Sequence, residues 1–159
     1  STVTTKSLYL GRESGTGEEK ERVIEEALIC TIGRKIYILV DSGASLSACP
    51  IGSLKGKYVL SKYAGQNFSA ADGGQIAAAR GLEALFSVRS VVGGVVQPRS
   101  LGVCFGECAV SRAILSVNEL VNKGHTVLLC SSKPKITLKD GTITPLLQSG
   151  SSHYLLADQ

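Results

Sequence analysis

The sequence contains no methionine. A segment without a start residue is expected to be cut from a longer translation product. No apolar run approaches the ~18 residues of a membrane-spanning helix, and nothing at the start reads as a signal peptide. No membrane partner is therefore expected. Aromatic residues make up only 5% of the chain. No run of Lys and Arg is interleaved with them, so nucleic-acid binding by this domain alone is not expected. No internal repeat with a period of roughly 20–50 residues is visible.

What is present points to a folded domain. The chain has 159 residues, 43% of them hydrophobic. That length suggests one domain able to bury roughly 68–70% of its unfolded surface. Intrinsic disorder is excluded by the apolar fraction. Eighteen glycines, abundant Val, Ile, Leu and Thr, and few long helical patterns indicate a strand-rich fold.

The net charge of +4 is unevenly placed. Residues 1–27 carry four basic and six acidic side chains; the remainder carries thirteen and seven. The basic excess is scattered and reads as a solvated face. Five cysteines, an odd count, fit a reducing compartment. Cys30 and Cys130 sit in apolar runs and read as buried small hydrophobes. Cys104 and Cys108 lack a strong zinc spacing, so no metal and no cofactor are expected.

Residues 1–26 form a polar N-terminal extension. Ala27–Ile32 and Lys35–Val40 read as strands about a turn at Gly33-Arg34, the second buried on both faces. A weak strand is expected at Tyr58–Lys62. Gln66–Ala71 and Gln75–Arg80 flank Asp72-Gly73-Gly74 and read as a hairpin with a flexible tip. Leu82–Val92 and Gln97–Phe105 follow, joined through Gly93-Gly94. Ser116–Lys123 reads as a short helix, with Ser116 as cap, Glu119 three residues on and Gly124 at its end. Thr126–Cys130 returns as a strand, and Ile136–Leu138 with Ile143–Leu147 reads as a closing hairpin.

Chemistry concentrates at Asp41-Ser42-Gly43-Ala44-Ser45. An aspartate directly after an apolar strand is costly unless it has partners. Gly43 permits a tight turn, and Ser42 sets a hydroxyl beside the carboxylate. Alone, the tetrapeptide also fits an ordinary strand-end turn. Other site patterns fail. Gly43-Ala44-Ser45-Leu46-Ser47 lacks the second glycine of a nucleophile elbow. Cys49 with His125 as a thiol protease has no supporting context. Gly73-Gly74 and Gly93-Gly94 lack the Gly-Lys-Ser/Thr of a phosphate loop.

Downstream, Ala113 through Leu128 gives strand, helix, glycine, strand. With Asp41-Ser42-Gly43-Ala44 and the glycine-tipped hairpin, the chain resembles the retropepsins, aspartic proteases of retroviruses and LTR retrotransposons. The likeness covers about Ala27 to Cys130. Ile114-Leu115-Ser116-Val117, Leu120, Gly124-His125 and the tail from Lys139 to Leu155 resemble copia-like and gypsy-like elements. Retroviral proteases commonly end near the counterpart of Val127–Cys130. Relatives often carry Gly at the Ser116 position and Arg at Val117, paired with an acid at the position of Ser45; this chain has neither partner.

The resemblance implies an all-β, retropepsin-like barrel with one short C-terminal helix, assembled as a two-fold homodimer. It divides the chain into the extension 1–26, a protease core 27–130 and a C-terminal hairpin extension 131–159. It implies an endopeptidase that cleaves its own polyprotein, cytoplasmic and within virus-like particles. Asp41 is the implied catalytic residue. Ser42, Gly43, Ala44, Ile114 and the flap residues Asp72, Gly73 and Gly74 are the implied substrate contacts. With one Asp-Ser-Gly per chain, two chains would each supply Asp41 and the pair would share a proton. A catalytically silent module for dimerisation or peptide binding is the competing expectation.

Overall fold

A computed structural model describes residues 33–59, 67–69, 75–77 and 80–159. The extension 1–26, the strand Ala27–Ile32 and the flap tip Asp72-Gly73-Gly74 lie outside the described residues. The described residues are mostly β-sheet with one short helix among them, in agreement with an all-β reading.

In chain order the strands are β1 (Lys35–Asp41), β2 (Ala48–Pro50), β3 (Lys57–Val59), β4 (Asn67–Ser69), β5 (Gln75–Ala77), β6 (Arg80–Val92), β7 (Val95–Cys108) and β8 (Ile114–Ser116). Helix α1 (Val117–Asn122) follows. Then come β9 (Thr126–Leu128), β10 (Lys135–Thr137), β11 (Ile143–Pro145), β12 (Leu147–Ser149) and β13 (Ser152–Asp158).

Local chemistry explains several of these boundaries. Gly93 and Gly94 have φ of +57° and +82°. Two positive φ values make the twisted two-residue turn that suits a hairpin, and β6 and β7 pair from Val92–Val95 down to Arg80–Glu107. Ser116 caps α1 by accepting from the Glu119 N–H, and Gly124, at φ +96°, turns the chain away from the helix. β4 and β5 pair antiparallel, with Phe68 opposite Ile76.

The sheet closes on itself. β1 pairs in parallel with β8, β8 with β2, β2 in parallel with β7, and β7 with β6. β13 then joins both β6 and β1, completing a six-stranded ring. β11, β10 and β9 continue outward from β6. Residues 131–159, set apart in the sequence as a hairpin extension, thus contribute four strands of the same sheet. Their β10–β11 hairpin is present, with Ile136 opposite Thr144.

Ile38, Leu82, Phe86, Phe105, Leu115, Leu120, Ile136 and Leu155 fill the core. Phe86 and Phe105 meet edge to face at 6.0 Å between ring centres. Each such side chain contributes about 1.5–3 kcal/mol on burial. The sequence expectation for β1 needs correction. Ile38 and Val40 are buried, but Leu39 is only half-buried and Tyr37 is 37% exposed. One face of β1 meets the core and the other is only partly covered. Cys130 also departs from expectation: it is half-exposed, and the Lys133 amide on its sulfur lowers its pKa.

Candidate active site

Asp41 stands at the last position of β1, where the strand leaves the sheet. It is half-buried, and its Oδ1 accepts the Gly43 N–H at 2.8 Å. This local bond shapes the turn and fixes the carboxylate. A Cβ built on Gly43 would lie 3.3 Å from the same Oδ1. The glycine therefore gives the carboxylate room. Ser42 and Gly43 are exposed, and Ala44 is half-buried.

The turn is pinned to the start of α1. Parallel pairing sets Asp41 opposite Ser116, the helix cap. The Ser116 hydroxyl donates to the Ala44 carbonyl at 2.8 Å. Its N–H donates to Ser47 Oγ at 2.9 Å, and the Ser47 N–H donates to Glu119 Oε1 at 2.6 Å. Ser47 and Ser116 are fully buried, so the bond between them is shielded from water and the other two partly so, and together they hold the loop. Sequence reasoning gave Ser116 and Glu119 a capping role. Their service to the 42–47 loop has no local signal, because the loop lies some seventy residues away in the chain.

A cleft of about 410 Å³ opens at this point, lined by Leu39, Asp41, Ser42, Ser151, Ser152 and His153 among others. Asp41 and Ser42 thus share one concave surface. Ile114 lies on β8 opposite Leu39 but does not line the cleft. The Ser151–His153 wall comes from the tail and was not anticipated. A larger groove, about 570 Å³, runs past Lys55, Leu85 and Lys123 and includes none of the implied catalytic or substrate-contact residues.

Cys49 is sealed from solvent, and burial, followed by the neighbouring Glu107 charge, pushes its thiol up to about 12. Such a thiol stays protonated and is no nucleophile at neutral pH. His125 accepts the Lys139 N–H through Nδ1, and burial lowers its pKa. Among the described residues, no group of three or more His, Cys, Asp or Glu side chains is placed to hold a metal ion. No helix among them is long and apolar enough to cross a membrane.

No protein-family model, curated protein or solved structure matches the chain.

Proposed function

We propose that the protein is a homodimeric aspartic endopeptidase of the retropepsin type, processing the polyprotein of an LTR retroelement inside cytoplasmic virus-like particles. The observation that carries this reading is the carboxylate of Asp41. It ends a barrel strand at an open cleft, held by the Gly43 N–H, in a turn pinned to the α1 cap. The order of motifs in the sequence adds to it.

The chemistry needs two carboxylates, one from each chain. Close to one another, they cannot both ionise easily and share a proton. The charged member takes a proton from water as that water attacks the scissile carbonyl. The protonated member donates to the carbonyl oxygen. Collapse of the tetrahedral intermediate passes a proton to the departing amine. Ser42 and Gly43 border the peptide, and the β4–β5 hairpin covers it. The acid–Arg pair common in relatives is missing: Ser45 is exposed and Val117 half-buried. That absence is what favours the competing reading, a silent module that binds peptide without cutting it.

Cleavage of a peptide from the flanking polyprotein, by wild type and by Asp41→Asn, separates the two. We expect a loss of roughly 10²–10⁴-fold in the variant. Equal cleavage by both proteins rules out Asp41 chemistry.

A further inference from the structure

The wall facing Asp41 is built by the C-terminal hairpin. β13 runs antiparallel to β1, with Val40 opposite His153, so Ser152 and Ser151 lie alongside Asp41 and Ser42. The connection from β12 is a two-residue turn, Gly150-Ser151, between the paired Ser149 and Ser152. Gly150 has φ +61°, and no non-glycine residue among the described ones has positive φ. That combination is the tight type II′ turn, which fixes the register of the wall.

His153 is held in place from behind. It is half-buried, and its Nε2 lies 3.4 Å from the Cys130 carbonyl oxygen. The next residue, Tyr154, accepts at its hydroxyl from Arg112 at 2.8 Å. A carbonyl oxygen only accepts, so the tautomer that makes this contact carries its hydrogen on Nε2. In the neutral ring, Nδ1 is then an acceptor with a lone pair and no partner among the described residues. The residue lines the Asp41 cleft.

We propose that His153, with the hydroxyls of Ser151 and Ser152, selects a substrate side chain that donates a hydrogen bond, such as the amide of Gln or Asn. A carboxylate, which only accepts, is disfavoured by the same Nδ1 and by Asp41. The inference rests on the proteolytic reading of Asp41 and assigns the substrate preference of that site. His153 acts as a specificity-determining residue and takes no part in bond cleavage.

The test is kcat/KM for two peptides identical except for Gln or Glu at one position beside the scissile bond, scanned on both sides of that bond. Wild type should prefer Gln at one position. In His153→Ala the Gln-to-Glu ratio should fall about tenfold, the weight of one hydrogen bond. His153→Asn, whose carbonyl oxygen can stand near the place of Nδ1, should restore part of the ratio. Wild type without a preference, or a ratio unchanged in His153→Ala, overturns the proposal while Asp41-dependent cleavage stands. If no Asp41-dependent cleavage occurs, the proteolytic reading fails by itself. Binding of the Gln peptide to Asp41→Asn, followed by NMR of the His153 ring protons, then decides the contact. Movement of those signals with Gln but not Glu supports it, and their silence overturns it.

Discussion

Two aspartates end the two seven-residue strands that lie side by side in this barrel, and their surroundings are opposite. Asp41 closes β1 half-exposed, with its carboxylate satisfied by a backbone N–H in an open cleft. Asp158 closes β13, 1% exposed, and neither of its oxygens accepts a hydrogen bond among the described residues. Burial raises the Asp158 carboxyl above the usual range, and the Arg89 and Lys35 charges only partly oppose this. A perturbed carboxyl is often taken to mark function. Here the perturbed one is sealed among strands, and the accessible one sits in a pinned loop. The proposal of Asp41 as the reactive group therefore rests on access and hydrogen bonding.

Removing β13 is the severest way to test that contrast. A chain lacking residues 152–159 loses the partner of β1 along Lys35–Val40, the join to β6, and the buried Leu155, Leu156 and Ala157. We expect no cooperative unfolding transition by circular dichroism. A sharp transition near that of the full chain would show that the barrel does not depend on its last strand. A milder change acts on Asp41 alone. In Gly43→Ala the new methyl presses on Oδ1 and displaces the carboxylate. Peptide turnover should fall about tenfold, since small misplacements of reacting groups are costly, while the melting temperature stays nearly constant.

The mildest change concerns Asp158. Its folded pKa lies above the unfolded value near about 3.9, so folding favours the protonated form. Its stabilising contribution is whole below that unfolded value and is lost as pH rises through the raised folded value. Asp158→Asn, always neutral, should lack this loss. Melting curves of both proteins from acid to neutral pH should separate by a few degrees as pH rises, with the variant higher. Parallel curves would contradict the assignment.

The sequence made the local features readable and the distant ones not. The Asp41 turn, the Gly93-Gly94 hairpin and the Ser116 cap each follow from residues a few positions apart, and all three appear in the structure. The pairing of β1 with β13 joins opposite ends of the described chain and leaves no local trace. β13 also hides its own nature. Leu155 and Ala157 enter the main core while Leu156 packs with Leu147 and Tyr154 on the other side. A strand covered on both faces shows a continuous apolar run without alternation. For the same reason the Ser151–His153 wall could not be tied to Asp41 from sequence. Tyr37 shows the converse error: an apolar residue in a strand suggested burial, yet it is 37% exposed.

The central claim is that each active site takes one Asp41 from each of two chains. Mixing wild-type and Asp41→Asn chains at fixed total concentration, after exchange, tests it most directly. If two aspartates are needed, activity follows the square of the wild-type fraction, and a half-and-half mixture retains about a quarter. Activity proportional to the wild-type fraction would contradict the account, because a single chain would then suffice.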